Sequence, residues 1–397
     1  MDHIEYQRRL RGLLMTRESA FTDQEFDRRR QALDTRLQEA NLDALLITHP
    51  ADIHYLTGYN TFEVSVHTAL LYCPSRAVLQ VPSIEMGPAI ACARCDEVLG
   101  YRWEGPEEIL NPLADSLSAM GKAVGLDLWG AGLRHALVDG LKQRLPDHRF
   151  VDASGILAPI KLIKSQPELI CLKRSARITE AGIAAARAAV RVGTTDNDIA
   201  ASASRSMLQA GTEFMSMQPI VVAGMRSSII HTNHRRFTIL AGEPVFIEVG
   251  AAFERYTAPL MHTLVAGTED PDDRMRRVAD VGHQVYETLI RAMIPGHTFD
   301  EAAQKAEAAL APLREEIFFS GVYGYSVGAQ FPPSWVEGTG FIARGQQTRF
   351  AENMVFHLPL CFRIPGAWGI GFSETVKVGP GGAEPLTRNS WVLQQSD

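Results

Sequence analysis

Apolar residues alternate between helical and strand spacing along the first part of the chain. Residues 22–38 carry apolar side chains at helical intervals, with Thr22 and Glu25 spaced as a capping box at the start. Short apolar runs that are typical of buried strands follow at 43–48, 67–72, 77–81 and 123–128, before a second helical pattern at 133–145. This mixture predicts an α/β domain of about 150 residues.

A polar stretch between Pro159 and Pro167 interrupts this pattern. Proline breaks regular backbone hydrogen bonding, so two prolines that bracket polar residues indicate a boundary. We therefore predict two domains, at residues 1–160 and 161–397.

The pattern beyond this boundary runs twice through the same order, which is two helices followed by strands. The helices are predicted at 168–192, 195–210, 275–292 and 299–313, and the strands at 219–222, 245–248, 353–358 and 374–378. This order indicates two similar halves in the second domain, although no literal sequence repeat is readable.

The composition is that of a folded protein. Of the 397 residues, 46% are hydrophobic and 21% charged, which excludes a wholly disordered or collagen-like chain. A net charge of −7 argues against general nucleic-acid binding. There is no long apolar run and the first residues are charged, so we expect no membrane span, no signal peptide and a cytoplasmic location.

The densest group of reactive residues lies between His231 and His262. Seventeen positions after His231, a carboxylate, Glu248, ends an apolar strand. An acid at the end of a buried strand is costly unless it is paired or functional. His231 and Glu248 are therefore candidate functional residues.

The segment 242–263, with Phe-Ile-Glu248-Val-Gly250 at its centre, resembles the central motif of the creatinase, prolidase and methionine aminopeptidase family. The resemblance covers nearly the whole chain. It implies an α+β architecture, in which a creatinase-type N-terminal α/β domain precedes a duplicated pita-bread catalytic domain. In metal-dependent members an active-site His lies seventeen residues before the first metal Asp, as His231 lies before Glu248.

The same resemblance places the other metal positions of the family on residues that do not serve as ligands. These are Pro259, Tyr325, Pro359 and Ser373, the last with Glu374 beside it. A pair of divalent ions needs several carboxylates and usually a His. We therefore predict no catalytic metal and no other cofactor, which sets aside the peptidase activities and the iron-dependent sulfonium lyases of this fold.

Two metal-free branches of the family remain. Creatinase has a glutamate where this chain has Met261. The bacterial ectoine hydrolases are more similar, partly at positions where a metal enzyme needs ligands. The shared features include Phe246 to Gly250, Gly324-Tyr325, Pro332-Pro333-Ser-Trp335, Phe356-His357, Trp368-Gly369 and Ser373-Glu374. Residues 61–65 depart from these hydrolases, which leaves a relative of ectoine open as the substrate.

This resemblance implies a metal-independent hydrolase that opens a C–N bond of a small zwitterion, namely a cyclic amidine such as ectoine, to give N-acetyl-diaminobutyrate. His231 is expected to act as general base and then acid, and Glu248 and Glu374 to clamp the planar amidinium, one of them also orienting water or acting as nucleophile. Substrate contacts are expected from Tyr325, Phe331, Trp335, His357, Arg363 and Trp368. We also expect a homodimer, in which Phe62 and His67 act across the interface.

Two alternatives stay open at this point. The first is a creatinase-like amidinohydrolase or another C–N hydrolase. The second, of a different class, is a non-catalytic descendant that binds a small zwitterion or a partner protein. The presence of His231, Glu248 and Glu374 together favours an enzyme, because a binding protein needs no general base.

Overall fold

A computed structural model describes residues 1–14 and 18–396, which divide into two compact units, Met1–Ile160 and Lys161–Asp397. The helices of the first unit are α1 His3–Leu13, α2 Asp23–Glu39, α3 Pro50–Thr57, α4 Met86–Cys92, α5 Asn111–Ser118 and α6 His135–Arg144, with α7 Ala158–Leu162 at the division. Its strands are β1 Ala44–Ile47, β2 Ala69–Cys73, β3 Arg76–Pro82, β4 Glu97–Tyr101, β5 Ala123–Leu126 and β6 Arg149–Asp152.

The strands of the first unit form one mixed sheet in the order β4-β3-β2-β1-β5-β6. Alternate side chains of β1 enter two different core clusters. Leu45 packs in a cluster with Leu33 of α2, whereas Leu46 packs in a cluster with Leu117 of α5. Both faces of the sheet are therefore covered, which explains why its central strands read as continuous apolar runs. The predicted strands and the two predicted helices of this unit are confirmed.

The second unit contains helices α8 Gln166–Ala189, α9 Asp196–Gln209, α10 Asp273–Ala292 and α11 Phe299–Leu310. Its strands are β7 Ile220–Ala223, β8 Pro244–Val249, β9 Ala252–Phe253, β10 Tyr256–Thr257, β11 Leu260–Val265, β12 Val322–Ser326, β13 Phe341–Ala343, β14 Val355–His357, β15 Leu360–Ile364, β16 Trp368–Phe372, β17 Thr375–Gly379 and β18 Gly382–Pro385. No helix of the described residues is long and apolar enough to cross a membrane.

The predicted order of two helices followed by strands occurs twice in this unit. The α8 and α9 pair precedes an antiparallel sheet in the order β11-β8-β7, and the α10 and α11 pair precedes one in the order β13-β12-β14-β17-β18. Ser165 caps α8 in a capping box with Glu168, and Pro167 lies in the first turn, where its missing N–H is not needed. Pro167 therefore lies in the first turn of a helix that begins at Gln166.

A hairpin of β15 and β16 packs closely on β8 and β11, and the sequence pattern did not predict it. Gly371 of β16 makes the close approach possible. A Cβ atom at this position would lie 2.5 Å from Cε2 of Phe246 and 2.6 Å from Sδ of Met261. The hairpin therefore depends on a residue without a side chain at this crossing.

We expect Gly371→Ala to lower the free energy of unfolding by about 1–3 kcal/mol, because the added methyl group overpacks a buried crossing. Urea denaturation of the variant and the wild type measures the difference. Gly381→Ala is the matched control, since a Cβ there meets nothing within 4 Å. Equal urea midpoints for the wild type and Gly371→Ala would show that the crossing accommodates a methyl group without strain.

Candidate active site

Glu248 is a buried acid on an otherwise apolar surface. It lies on β8, directly opposite Met261 of β11 and Ile220 of β7. Met261, Ile220 and Phe246 belong to one apolar cluster, and Glu248 itself is only 4% exposed. Burial alone raises the pKa of Glu248 to about 8, and no charged side chain of the described residues offsets this effect. The acid is therefore placed to receive a proton or a cationic ligand.

A chain of hydrogen bonds occupies the neighbouring strands. Tyr325 of β12 and His357 of β14 are directly opposite each other, and the Tyr325 hydroxyl lies 2.8 Å from Nδ1 of His357. Nε2 of His357 lies 2.7 Å from the Ser373 hydroxyl, and the Trp335 indole N–H donates to the Tyr325 hydroxyl at 2.7 Å. This chain of Trp335, Tyr325, His357 and Ser373 is called the relay below.

The relay lies beside Glu248. Burial, and after it the negative charge of Glu248, raises the pKa of Tyr325 well above its usual value, so the phenol keeps its proton. His357 is fully buried, and this burial lowers its pKa to about 3, so its imidazole is neutral. The relay thus presents neutral hydrogen-bonding groups next to an acid that lacks a partner.

Cys361 and Arg363 extend the site along β15. Side chains two positions apart on a strand share a face, and the Cys361 thiol lies 3.1 Å from Sδ of Met261, the residue opposite Glu248. The Arg363 guanidinium stacks 4.4 Å over the ring of Phe318, and its buried Nε has no hydrogen-bond partner. Burial, and after it the negative charge of Glu248, raises the pKa of the Cys361 thiol, whereas the positive charge of Arg363 lowers it, so both charged groups lie near Cys361.

Glu374 does not join Glu248. Its carboxylate accepts hydrogen bonds from the Thr387 hydroxyl and, at 2.7 Å, from the backbone N–H of Asn389. Burial raises its pKa to about 8, and the negative charge of Glu180 adds to this effect. Adjacent residues of an extended segment point to opposite sides, so Ser373 joins the relay and Glu374 points away. The expected clamp of two glutamates is therefore not formed.

His231 lies on an exposed turn, and no described contact joins it to Glu248. The turn follows the short 3₁₀ helix Gly224–Ser228, which is fastened to β16 by a hydrogen bond from the Gly369 N–H to the Ser227 hydroxyl at 2.8 Å. The neighbouring His234 is held in place by the carbonyl of Pro219, at 3.1 Å from its Nδ1.

The other expected substrate contacts are distributed differently. Trp335 belongs to the relay, whereas the buried Phe331 ring packs under Arg255, with 4.2 Å between its centroid and the guanidinium carbon. Trp368 packs against the main apolar core of the second unit. In the first unit, Phe62 is 89% exposed, and the buried His67 contacts Gln80 at 3.0 Å and has a pKa lowered by burial.

Comparison with known proteins identifies the family. The model of metallopeptidase family M24 matches residues 170–380, which is more than half of the chain, and the model of the creatinase/prolidase N-terminal domain matches residues 29–163. The chain belongs to metallopeptidase family M24. As a member of M24 it is a hydrolase, with a creatinase-type N-terminal domain followed by a pita-bread domain, and the predicted fold class is confirmed.

Relatives of this M24 protein carry different names. It is 25% identical to an Xaa-Pro dipeptidase of Lactobacillus delbrueckii, over 91% of this chain and 97% of the relative. It is 22% identical to the ectoine hydrolase of Halomonas elongata, over 92% and 96%. Among solved structures, an X-Pro aminopeptidase from Thermotoga maritima matches with a TM-score of 0.80 at 20% identity, over 92% of this chain and 99% of that one.

The donor set of this M24 site does not fit the metal ions that the family name implies. The positions where the family resemblance places ligands hold Glu248, Pro259, Tyr325, Pro359 and Ser373. Proline has no side-chain donor, and both hydroxyls already contact His357. Across residues 1–14 and 18–396, no group of three or more His, Cys, Asp or Glu side chains could hold a metal ion.

Sequence reasoning missed Ser373 and Cys361 as members of the site. Ser373 is adjacent to Glu374, and a carboxylate is the more usual catalytic group, so the sequence favoured Glu374. Adjacent residues of an extended segment point to opposite sides, and the family resemblance places a metal ligand at position 373. This is the signal that could have identified Ser373, and not Glu374, as the residue that faces the site. Cys361 carries no such signal, since its place is set by the hairpin.

We expect Glu248→Gln to stabilise the fold, by an amount that grows with pH. In the unfolded chain this acid ionises near 4.5, whereas in the folded protein it keeps its proton up to about pH 8. Between these values the folded state binds more protons, so wild-type stability falls as pH rises, and glutamine removes that loss. Thermal unfolding at about pH 5 and about pH 8.5 measures the difference.

The exposed Glu352 provides the matched control for this experiment. At about pH 8.5 we expect Glu352→Gln to change the free energy of unfolding by less than Glu248→Gln does, because the Glu352 side chain is exposed. A Glu248→Gln gain that is equal at both pH values would mean that the folded protein holds this carboxylate ionised.

Proposed function

We propose that the chain is a metal-independent hydrolase that opens a C–N bond of a small zwitterionic substrate, with a cyclic amidine such as ectoine as that substrate. The observation that carries this proposal is the burial of Glu248 without a positive partner. An ionised carboxylate in such a place gains most from a ligand that brings a positive charge with it. A planar amidinium matches a carboxylate with two parallel N–H donors.

Arg363 supplies the opposite charge for the proposed substrate. Its guanidinium carries no ion pair with the described residues, and its Nε lacks a hydrogen-bond partner. A zwitterion whose amidinium meets Glu248 and whose carboxylate meets Arg363 would compensate both charges at once. The ectoine hydrolase among the relatives supports this substrate class.

The proposed reaction adds water across the ring C–N bond. Water attacks the amidinium carbon and gives up a proton to a base, for which we propose His231. The tetrahedral intermediate then collapses with cleavage of the bond to a ring nitrogen, which takes up the proton that the base received. With ectoine, the product is N-acetyl-diaminobutyrate. Glu248 holds the cation, and it could also attack the carbon itself as a nucleophile.

The names of several relatives favour a second function, the cleavage of Xaa-Pro dipeptides. We rank it lower because two of the family's ligand positions are prolines in this chain, and these give no side chain to a metal-assisted peptidase. A creatinase-like cleavage and a non-catalytic zwitterion binder are further alternatives. The expected homodimer, in which Phe62 and His67 act across the interface, stays a prediction.

We expect the wild type to hydrolyse ectoine or hydroxyectoine with a rate that EDTA leaves unchanged, and not to cleave creatine or an Xaa-Pro dipeptide. Release of a primary amine measures each rate. Glu248→Gln keeps the side-chain size but loses the charge, so turnover should fall by roughly 100-fold or more. His231→Ala should also abolish turnover while the melting temperature is kept.

The alternatives predict other patterns in the same assay. Dipeptide cleavage that EDTA stops and Mn²⁺ restores would establish the peptidase. Binding of ectoine in calorimetry without any turnover would establish the binder. Normal turnover in Glu248→Gln would remove the carboxylate from the reaction.

We expect Arg363→Ala to raise the KM for a carboxylate-bearing substrate by about 10- to 100-fold, with a small change in kcat, because it removes a charge-assisted contact that is equal in the ground and transition states. Initial-rate kinetics measure both constants. Arg291→Ala is the control, since Arg291 is 75% exposed and pairs with Glu287 on the surface. An unchanged KM in Arg363→Ala would place the substrate carboxylate elsewhere.

A further inference from the structure

The relay can hold its protons in two ways, and these differ in what Tyr325 offers to a ligand. In the first arrangement, Tyr325 donates to Nδ1 of His357, and Nε2–H donates to Ser373. In the second, Ser373 donates to Nε2, and Nδ1–H donates to Tyr325. Both arrangements are compatible with the distances of 2.8 Å and 2.7 Å, because a neutral imidazole has one donor and one acceptor nitrogen.

Ser373 distinguishes the two arrangements. Its hydroxyl oxygen already accepts the backbone N–H of Met261 at 2.7 Å. Within the described part of the chain, Nε2 of His357 is the one acceptor that the Ser373 hydroxyl proton can reach. In the first arrangement this proton would have no acceptor, at a residue that is fully buried. A buried hydroxyl that lacks an acceptor is costly.

Tyr325 is in the opposite situation. The Trp335 indole is a donor only, so the Tyr325 oxygen must accept from it in either arrangement. In the second arrangement the oxygen accepts from both Trp335 and His357, and the phenol proton is left over. Tyr325 keeps some exposure, whereas Ser373 is fully buried, so a phenol proton without a protein acceptor costs less than a Ser373 proton without one.

We propose that Ser373 and His357 are positioning residues that fix the Nδ1–H tautomer of His357 and thereby direct the Tyr325 O–H at the substrate. Tyr325 then acts as a dedicated hydrogen-bond donor to an electron-rich atom of the reacting substrate, such as the oxygen that water adds to the amidinium carbon. This inference rests on the proposed function for the identity of that atom. The tautomer itself is a property of the free protein.

The tautomer is tested on the protein without substrate. In ¹⁵N-histidine-labelled protein, the His357 signals are assigned by their loss in His357→Gln. We expect a protonated Nδ1 and an unprotonated Nε2 at neutral pH. A protonated Nε2 would overturn the inference. Because no substrate is present, this result holds whether or not ectoine is turned over, so the two proposals can fail separately.

Kinetics test the consequence with whichever substrate the panel of compounds identifies. We expect Tyr325→Phe to lower kcat by roughly 100-fold and Ser373→Ala by about 10-fold, both with little change in KM, because the lost contact belongs to the transition state. The control is Ser175→Ala. Ser175 is also fully buried, accepts the Ala258 N–H at 3.0 Å and donates to the Ala251 carbonyl at 2.8 Å.

Ser175→Ala should lose stability to a similar extent as Ser373→Ala but keep kcat. A kcat for Ser373→Ala that equals the wild-type value would overturn the positioning role. An equal fall in kcat for both serine variants would overturn it as well, since the loss would then follow from stability alone.

Discussion

One carboxyl group without a positive partner dominates the chemistry of this fold. Glu248 lies on the same sheet face as Phe246 and Met261, where it is buried and no described cation compensates its charge. Glu248 is buried because β8 carries core residues on both of its faces, so any side chain on this strand lies inside the protein. Such an acid is either protonated or bound to a cation, and the choice between the two depends on pH and on the ligand.

The reverse side of the same strands is built to hold the site in place. The Asn389 amide donates to the carbonyls of Met261 and Ser373, at 2.8 Å and 3.0 Å, while its backbone N–H donates to Glu374. Its Oδ1 lies 2.8 Å from Nδ1 of the buried His262. Glu374 thus holds Asn389, and Asn389 in turn holds the backbone of Met261 and Ser373 in the site. The network pairs the Asn389 amide and the Glu374 carboxylate on one side of the sheet, while the Ser373 hydroxyl faces the other.

Two residues of the relay, Tyr325 and Ser373, occupy positions at which the family resemblance places metal ligands. A phenol and a hydroxyl stand there in place of metal-binding groups, and the neutral imidazole of His357 joins them, so that each hydrogen bond limits the donor and acceptor roles of the next. A metal site fixes geometry through strong bonds to one ion. In this protein, Tyr325 and Ser373 instead fix the direction of one proton, that of the Tyr325 hydroxyl, through the hydrogen bonds of His357.

The sequence by itself determined the fold class and the repeated order of helices and strands, because periodicity and capping are local. It also singled out Glu248. It missed the hairpin of β15 and β16, because the glycines of β16 gave no strand signal. It also paired Glu248 with Glu374, whose carboxylate bonds Thr387 and Asn389 instead. Only the tertiary structure decided that Ser373 faces the site and Glu374 does not, because that choice depends on contacts with residues distant in sequence, Met261 and Thr387.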